Sequence, residues 1–493
     1  MAILSPARDD FPIYDSSGTL ELIHRGKVRD AYRLENGRIL FTATDGISIF
    51  DFVLNALVPD KGRVLTGLSH FWLEMLSDYG IPTHFLAAGL DMDQYLPEDL
   101  HDNLDLHSRS MVVQRLAMDP VEFIIRGCLT GSGFDSYSKT GQVKGFKLPS
   151  GMQDGDLLPF PLDTPTTKAE EGHDLALDPA QIRAQYPAQT YRALQIFQVI
   201  SAYARQRGIM FADTKFEFSG EVVGDEVGTP DSSRFWNYDE WLKIRQSDQR
   251  SAPPPFDKQL VREWGKAMGI HKLDPSKTDD VAKVHAMQVP RHLITATTNT
   301  YRYIFWRLTG RTVEDYFSSV LGVDLPWRRY KVVVVLGSTS DYPQLEKIIA
   351  NYGRQGQIAE IDVHIISCHR NPAELAEWVN GGCGKADVII GAGSKALALP
   401  GVIDAFVYAK GLQIPVIGVA LGEPGTVAFE AARLSIEELP SQPVLIDELA
   451  GVVYCGSEGF ARALNRVAFG ELPPAKSRKS RVAQWGYPKA PQP

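Results

Sequence analysis

The chain has 493 residues, 44% of them hydrophobic and 23% charged, with a formal net charge of −9. These values are typical of a soluble globular protein, and the length predicts two or more domains. Because the body of the chain carries no basic run, a nucleic-acid partner is not expected.

The absence of a signal peptide, the absence of a membrane helix and the spacing of the cysteines all predict a cytoplasmic location. The first residues have neither the basic start nor the apolar core of a signal peptide, and no apolar run approaches the ~20 residues of a membrane helix. The four cysteines, Cys128, Cys368, Cys383 and Cys455, are scattered without a C-x-x-C motif. This pattern indicates a reducing compartment and argues against a zinc site. We therefore expect a cytoplasmic protein without a membrane partner.

The first predicted element is a β-hairpin in residues 24–45, HRGKVRDAYRLENGRILFTATD, with a glycine and a lysine at its start. Neither G-x-x-x-x-G-K-[ST] nor a helix-opening G-x-G-x-x-G occurs, so a P-loop or Rossmann site is not indicated. A strand-loop-strand can instead lay Lys27 over the phosphates of ATP, although a plain turn is the alternative. Farther along, the spacing in SHFWLEML, residues 69–76, predicts a core helix.

A second hairpin is predicted in residues 213–236, DTKFEFSGEVVGDEVGTPDSSRFW. With a three-residue turn at Ser219-Gly220-Glu221, the side chains of Lys215, Glu217 and Asp225 point to one face of the sheet. Two carboxylates beside an ammonium favour a site that holds Mg²⁺ against nucleotide phosphates. The alternative is a ladder of exposed ion pairs, which would contribute little to stability.

This hairpin is followed directly by a turn sequence, Pro230-Asp231-Ser232-Ser233, which presents hydroxyl and N–H groups. Arg234 adds a planar guanidinium suited to a phosphate or a carboxylate. Together these residues predict an anion site next to the hairpin.

A change of pattern marks a second domain. After a helical segment near Asn299–Leu308, the chain runs through PWRRY into the apolar strand KVVVVL. Such a strand is typical of a parallel sheet that is buried on both faces. Three further apolar runs follow at a spacing that favours βαβ units. The predicted parts are a first domain at residues 1–326, a second at 327–470 and a basic, proline-containing, disordered tail at 471–493.

Long motifs follow one another through the first domain. They are GKVRD (26–30), DGISIFD (45–51), PDKGRVLTGLSHFW (59–72), VEFIIRGCLTGSG (121–133), TPTTKAEEGHD (164–174), ADTKFEFSG (212–220) and GDEVGTPDSSRFW (224–236). Their succession resembles the SAICAR synthetase (phosphoribosylaminoimidazole-succinocarboxamide synthase) family. The resemblance implies ATP-dependent ligation of L-aspartate to the carboxylate of carboxyaminoimidazole ribonucleotide, giving SAICAR, ADP and phosphate. The implied fold is α+β, with a kinase-like ATP-binding half.

The resemblance also implies roles for individual residues. Glu217 and Asp225 would hold Mg²⁺, while Lys215 and Lys27 would meet the ATP phosphates. The implied catalytic residues of this domain are Lys215 and Arg126. The implied substrate-binding residues are Arg126, Ser132 and Arg234 for the nucleotide phosphate, Glu122 for the imidazole, Asp231 for the ribose, and Asp45, Ser48, Asp51, Lys168 and Asp174 along the same cleft.

The second domain has its own motifs, GSTSD (337–341), SCHRNP (367–372) and GAGSKALALPG (391–401). Each follows a predicted parallel strand, at the sheet edge where such folds bind ligands. The motifs resemble the AIR (phosphoribosylaminoimidazole) carboxylase family, an α/β flavodoxin-like fold whose reaction needs neither biotin nor a metal. GSTSD would open a helix and bind a phosphate there. The implied site residues are Ser338, Ser340, Asp341, Ser367, His369 for proton transfer at the ring carbon, and Arg370 for phosphate.

Two positions depart from the bacterial form of that family. Cys368 stands where the family has a small residue, and residues 393–397, GSKAL, replace a glycine-alanine-histidine loop that lies over the imidazole. The subclass therefore stays open, since one form takes CO₂ directly and the other rearranges an N-carboxylated nucleotide.

Two interpretations of the whole chain remain. In the first, it is a bifunctional purine-biosynthesis enzyme whose carboxylase domain makes the substrate of its synthetase domain. In the second, the carboxylase-like domain is an inactive assembly or nucleotide-binding module. A protein kinase is not indicated, because neither H-R-D-x-x-x-x-N nor D-F-G occurs. The resemblance also implies a homo-oligomer formed through the carboxylase-like domain.

Overall fold

A computed structural model describes residues 4–11, 20–168, 175–247, 251–325, 329–352, 356–439, 443–447, 452–470 and 472. These residues divide into two compact units, one within residues 1–328 and 468–471, and one within residues 329–467 and 472. The domain boundary predicted between residues 326 and 327 falls where the chain is not described, so it stays a prediction, as does the disordered tail. Within the described ranges, no helix is both long and apolar enough to cross a membrane.

The first unit mixes antiparallel strands and helices. Its strands are β1 Glu21–Arg25, β2 Arg29–Leu34, β3 Arg38–Ala43, β4 Gly46–Ile49, β5 Phe52–Leu57, β6 Phe85–Ala88, β7 Ser110–Gln114, β8 Val121–Cys128, β9 Gln142–Val143, β10 Phe146–Lys147, β11 Leu157–Asp163, β12 Thr166–Thr167, β13 Ile209–Ser219, β14 Val222–Gly224 and β15 Ser233–Asn237. Its helices are α1 Pro6–Asp9, α2 Lys61–Asp78, α3 Leu104–Arg109, α4 Ser132–Thr140, α5 Pro179–Gln185, α6 Pro187–Gln206, α7 Tyr238–Gln246, α8 Gln259–Ala267, α9 Thr278–Ala286, α10 Arg291–Thr309 and α11 Val313–Ser319.

One sheet of this unit has the order β1-β2-β3-β7-β6, and its β2–β3 hairpin confirms the one predicted in residues 24–45. Helix α2 covers the predicted helical segment 69–76, and Val64, Leu68, Trp72 and Leu76 are buried along it at helical spacing. The α10 helix likewise confirms the segment predicted near Asn299–Leu308.

The second sheet carries the predicted charged hairpin. Its order is β11-β8-β13-β14, with β12 paired to β8 and β15 paired to β13. Along β13 the side chains alternate, so Phe216 and Phe218 enter the apolar core while Lys215 and Glu217 lie on the other face. Helix α6 packs against β13 and β8.

The turn of this hairpin differs from the prediction. Ser219 pairs with Val222, so the turn has two residues rather than three. A three-residue turn would pair Glu217 with Val223 and Lys215 with Asp225, whereas Glu217 actually faces Gly224. Gly220 adopts a φ of +58°, the conformation that a two-residue turn with glycine at its first central position requires. Lys215 therefore does not face Asp225 across the ladder.

The second unit is a parallel α/β sheet. Its strands are β16 Tyr330–Leu336, β17 Ile358–Ile365, β18 Val388–Gly393, β19 Val416–Ala420 and β20 Tyr454–Cys455, and its helices are α12 Glu346–Tyr352, α13 Pro372–Asn380, α14 Leu399–Ala409, α15 Val427–Glu437 and α16 Gly456–Phe469. The order β17-β16-β18-β19-β20 with all neighbours parallel is the flavodoxin-like order, as predicted. The valine run of β16 is fully buried at the centre.

The GSTSD motif after β16 was expected to open a helix, but no α-helix begins there. Thr339–Asp341 form a single 3₁₀ turn, and the α12 helix begins only at Glu346. Pro343 has no N–H with which to extend the short turn, so the chain starts a new helix farther on. An anion bound at this loop would therefore meet only the hydroxyls and N–H groups of one turn, and not the N-terminus of a longer helix.

Candidate functional site

A row of charged side chains lines one face of the second sheet in the first unit. Asp213, Lys215 and Glu217 alternate along β13, while Glu122 and Arg126 alternate along β8. In the ladder, Asp213 is opposite Arg126, and Lys215 is opposite Ile124. Because side chains two residues apart share a face, all five lie on the same side of the sheet.

Lys215 lies at the centre of a carboxylate–lysine cluster made of Glu122, Lys168, Lys215 and Glu217. Its Nζ donates to Glu122 Oε1 at 2.7 Å and to Glu217 Oε1 at 3.0 Å. Lys168, just after β12, donates to Glu217 Oε2. Burial alone would lower the pKa of Lys215, but Glu217, Asp225 and Glu122 raise it above the ordinary value. The ammonium therefore stays charged.

Asp225 is held by Arg29 and not by the predicted pairing with Lys215. It adopts a φ of +56°, leaves the end of β14 and forms an ion pair with Arg29 of β2. The Arg29 Nη2 atom also lies 3.3 Å from Glu226 Oε2. Burial would raise the pKa of Asp225, but Arg29, Lys215 and Lys168 lower it below its ordinary value. Electrostatic attraction therefore links Asp225 to the two lysines that contact Glu217.

A pair of arginines, Arg126 and Arg234, lies at the other end of the charged row. Both donate to Asp213 Oδ2, at 2.8 Å from Arg126 Nη1 and 3.1 Å from Arg234 Nη1. Arg126 Nη2 also donates to Ser132 Oγ at 3.1 Å, and its Nε donates to Thr164 Oγ1 at 3.0 Å. Two guanidinium groups share one carboxylate, so one positive charge remains for an anionic ligand.

Gly131 shapes the contact between this arginine pair and the start of α4. It has a φ of +54°, and a Cβ atom built on it would lie 2.7 Å from Arg234 Nη1. Only glycine suits this position, because any side chain would be strained and would displace the guanidinium. The start of α4 also contacts Arg126, because Ser132 Oγ accepts from its Nη2 and a Cβ atom on Gly133 would lie 3.5 Å from its Cδ.

Asp231 lies in a buried network. Its Oδ2 accepts from Lys61 Nζ at 2.6 Å, and its Oδ1 accepts from the Tyr301 hydroxyl at 2.6 Å. Lys258 Nζ lies 3.7 Å from the same Oδ1. Burial would raise the pKa of Asp231, but Lys258 and Lys61 lower it. The predicted contact of Asp231 with a ribose stays a prediction, and the carboxylate also anchors the turn before Arg234.

The remaining predicted residues of the first unit are more exposed. Lys27, in the turn between β1 and β2, donates to Asp51 Oδ1 at 2.9 Å, so the structure brings these two together. Asp45 Oδ1 accepts from the Gly62 N–H at 2.9 Å, at the start of α2. Ser48 lies on β4 opposite Val53. Asp174 lies outside the described residues.

In the second unit, hydrogen bonds connect the three predicted loops. Arg370 Nη2 donates to the Gly337 carbonyl at 2.7 Å, and Ser394 Oγ donates to Asp341 Oδ1 at 3.0 Å. All three loops follow parallel strands, at the carboxyl edge of the sheet. Ser394 belongs to the GSKAL segment, so that divergent loop is held to the GSTSD loop.

The predicted side chains on these loops differ in exposure. His369 is exposed, and its Nδ1 lies 3.7 Å from Cys368 Sγ. Ser340 Oγ donates to Ser338 Oγ at 2.9 Å, and Ser367 Oγ accepts from the Arg370 N–H at 3.2 Å. The hydroxyls therefore stabilise the loop shapes, while His369 is accessible to a ligand.

Four side chains of the first unit join the site without having been predicted. Asp213 could have been found, because it continues the alternation of Lys215 and Glu217 along β13. Arg29, Lys61 and Tyr301 carry no such signal, since their partners are 196, 170 and 70 residues away in the chain.

Among the described residues, no group of three or more His, Cys, Asp or Glu side chains could by itself hold a metal ion. Glu217 and Asp225 nevertheless fit Mg²⁺, which is commonly held by one or two carboxylates while substrate phosphates and water complete its shell. Lys168 and Lys215 form ion pairs with Glu217, and Arg29 forms one with Asp225.

An α+β unit with carboxylates, lysines and arginines on one sheet face is typical of an enzyme that handles phosphorylated ligands. Residues 22–274 match the SAICAR synthetase family model, and residues 331–445 match the AIR carboxylase model. The chain therefore belongs to the SAICAR synthetase family and carries an AIR carboxylase domain after the synthetase domain.

Individual relatives agree with this assignment. The chain is 38% identical over 306 residues to the phosphoribosylaminoimidazole-succinocarboxamide synthase of Maridesulfovibrio salexigens, covering 60% of this chain and 96% of the relative. It is 37% identical over 310 residues to the enzyme of the same name from Saccharomyces cerevisiae, covering 59% and 95%. A solved SAICAR synthase from Saccharomyces cerevisiae in complex with SAICAR has a TM-score of 0.52 and 32% identity, covering 62% of this chain and 99% of that one. These findings support a SAICAR synthetase, a ligase of purine biosynthesis.

Proposed function

We propose that the first unit joins L-aspartate to carboxyaminoimidazole ribonucleotide at the expense of ATP, and that the second unit supplies that nucleotide by carboxylating aminoimidazole ribonucleotide. One observation carries the first half of the proposal. The carboxylate–lysine cluster and the arginine pair lie on a single face of one sheet, with Lys215 and Asp213 only two residues apart on β13. A nucleotide triphosphate and a phosphorylated substrate can therefore be bound side by side.

The chemistry requires this arrangement. An amine does not displace hydroxide from a carboxylate in water, so the substrate carboxylate must first receive the terminal phosphoryl group of ATP. Lys215, which stays charged, and Lys27 would neutralise the negative charge that develops on the transferred group. Glu217 and Asp225 would hold Mg²⁺, whose positive charge would offset the negative charge of the ATP phosphates. Aspartate then attacks the acyl phosphate through its amine, and phosphate leaves.

The arginine pair would hold the phosphate of the ribonucleotide. Arg126 is oriented by Asp213, Ser132 and Thr164, so its guanidinium is already fixed before a ligand arrives. Glu122, whose Oε2 accepts from Thr166 Oγ1 at 3.1 Å, faces the same side and would contact the imidazole. We assign Asp45, Ser48, Asp51, Lys168 and Asp174 to the same cleft, Asp231 to the ribose and a cytoplasmic location to the protein.

The second unit is proposed to act through His369 on a nucleotide whose phosphate meets Arg370 and the GSTSD turn. The exposed imidazole and the bond between Arg370 and Gly337 support this assignment. One feature favours an inactive module instead. The GSKAL segment replaces the family loop, and its Lys395 has a φ of +67°. Homo-oligomer formation through this unit stays a prediction.

The test is to incubate the pure protein with aminoimidazole ribonucleotide, bicarbonate, ATP, Mg²⁺ and aspartate, and to follow both nucleotide products. We expect SAICAR to form, and to form from supplied carboxyaminoimidazole ribonucleotide even without bicarbonate. No SAICAR under either condition would overturn the synthetase proposal. If SAICAR forms only from supplied carboxyaminoimidazole ribonucleotide, and neither aminoimidazole ribonucleotide with bicarbonate nor its N-carboxylated form yields it, the carboxylase proposal alone is overturned.

Replacing Arg234 tests the substrate-phosphate role. Arg234→Ala is expected to raise the KM for carboxyaminoimidazole ribonucleotide by about tenfold to a hundredfold, the effect of losing a charge-assisted hydrogen bond. The KM for ATP should stay near its original value. Arg192→Ala is the matched control, because Arg192 pairs with the exposed Glu221, which lies in the hairpin turn. A rise only in the KM for ATP would contradict the assignment.

A further inference from the structure

The segment of residues 5–11 lies before the part of the chain that matches the family model, which begins at residue 22. It is nevertheless held by hydrogen bonds to strand β5 and to Arg25 at the end of β1. Ser5 Oγ donates to the Leu54 carbonyl at 2.7 Å, and the Ala7 N–H donates to Asn55 Oδ1 at 2.9 Å. Arg25 donates to the carbonyls of Arg8, Asp9 and Phe11 at 3.0, 2.7 and 3.0 Å.

Arg8 extends from this segment to the turn that carries Lys27. Its Nη2 donates to the Gly26 carbonyl at 3.2 Å and forms an ion pair with Asp30 on β2. Both side chains are almost fully buried, at 0% and 1% exposure. Gly26 and Asp30 flank the turn from its two sides, so one guanidinium holds both strands at the point where they meet.

Neighbouring backbone leaves the turn little freedom. A Cβ atom on Gly26 would lie 2.6 Å from the Arg29 carbonyl, so the chain folds back on itself closely there. A Cβ on Gly46 would lie 3.0 Å from Arg8 Cδ and 3.1 Å from the Lys27 carbonyl, so Gly46 leaves room for the arginine stem to pass under the turn. Arg8 is therefore packed directly beneath Lys27.

The stability of the fold does not explain this pair. Burying a charge pair costs desolvation free energy that the attraction between the charges often fails to recover. Burial raises the pKa of Asp30 in spite of Arg8, and burial lowers the pKa of Arg8 in spite of Asp30. Arg8 Nε and Nη1 are buried without a hydrogen-bond partner among the described residues. A well-packed apolar pair would stabilise the same space better, so the ion pair points to a positional role.

We propose that Arg8 is a positioning residue for nucleotide binding, which fixes the Gly26-Lys27 turn from below so that Lys27 and the turn N–H groups meet the ATP phosphates in a preset geometry. This inference rests on the proposed binding of ATP by Lys27. The N-terminal segment thereby becomes part of the nucleotide site, although it touches no substrate.

The test compares Arg8→Met with Asp30→Asn, using direct binding of ADP with Mg²⁺ by calorimetry, thermal unfolding and steady-state kinetics. Arg8→Met removes the bond to the Gly26 carbonyl, whereas Asp30→Asn leaves that bond in place. We expect Arg8→Met to weaken ADP binding and to raise the KM for ATP by about tenfold, with the KM for the ribonucleotide unchanged. Asp30→Asn should lower the unfolding temperature but change ADP affinity much less.

Two further variants keep the test decisive. The double variant Arg8→Met/Asp30→Asn has no unpaired buried carboxylate, so it should fold even if Arg8→Met does not, and it should bind ADP as weakly. Arg245→Met is the matched control, because Arg245 is a partly buried arginine that pairs with Asp156 at 2.6 Å outside the Lys27 turn. Unchanged ADP affinity in the Arg8 variants would overturn the inference, as would equal losses in Arg245→Met. If the unmutated protein failed to bind ADP, the proposed ATP site itself would be wrong.

Discussion

Glu217→Gln is expected to lower the rate of SAICAR formation by about a hundredfold to a thousandfold, the range seen when one preorganised charge-stabilising group is lost. The side chain keeps its size, and its one carbonyl oxygen can still accept from Lys215 or from Lys168, so the fold should remain. Its negative charge, which we assign to Mg²⁺, is lost. The measurement is the rate of SAICAR formation at saturating nucleotide, aspartate and ATP, over a range of Mg²⁺ concentrations.

Glu221→Gln is the control for this change. Glu221 lies four residues farther along in the turn of the same hairpin, and it pairs with Arg192 at the surface. That variant should retain nearly full activity. Glu217→Gln should also need more Mg²⁺ for half-maximal rate, whereas a residue that only orients Lys215 would not change the Mg²⁺ requirement. Near-normal turnover of Glu217→Gln at ordinary Mg²⁺ would refute the metal assignment.

The charged face of β13 could be predicted because strand alternation is independent of register. Lys215 and Glu217 are two residues apart, so they share a face whichever turn closes the hairpin. The position of Asp225 does depend on the turn, and the sequence Ser219-Gly220-Glu221 is compatible with turns of two or three residues. Asp225 has a left-handed backbone and forms an ion pair with Arg29, and its assignment to Mg²⁺ beside Glu217 stays a prediction.

The residues of the site that could not be predicted from the sequence are those whose partners are distant in the chain. Arg29 and Asp225 come from different sheets, and no local periodicity relates two positions 196 residues apart. The same holds for Lys61 and Tyr301, which converge on Asp231 from α2 and α10. Such partners become visible only when the packing of the elements is known. Their side chains set the charge balance of the site, so the sequence alone predicted charged residues on the sheet face but not the side chains that pair with them.

His369→Asn is expected to reduce the carboxylation of aminoimidazole ribonucleotide by about a hundredfold to ten-thousandfold, the usual contribution of a positioned general base. A new carbon–carbon bond at the ring carbon requires that the proton there be removed, and an imidazole can accept it near neutral pH. Asparagine retains hydrogen bonding but cannot take up a proton. Because His369 is exposed, the substitution should leave stability nearly unchanged.

The control for this change is His364→Asn, on strand β17 of the same unit. His364 packs against Trp378, with ring centroids 5.5 Å apart, and it belongs to the strand rather than to the loops at its end. We expect this variant to lose some stability but to keep its carboxylase activity. Ligation of aspartate to supplied carboxyaminoimidazole ribonucleotide should continue in both variants, because it belongs to the other unit.

The carboxylase activity of the unmutated protein must be measured first, because the interpretation of the second unit as an inactive module predicts that this activity is absent. Consumption of aminoimidazole ribonucleotide with bicarbonate, and separately the conversion of its N-carboxylated form, would show which subclass chemistry the loop permits. If both traces were flat, the unit would be a binding or assembly module, and His369→Asn would change nothing. Activity that survives in His369→Asn would instead show that another group moves the proton, and the Cys368 thiol, 3.7 Å from the imidazole, would be the next to replace.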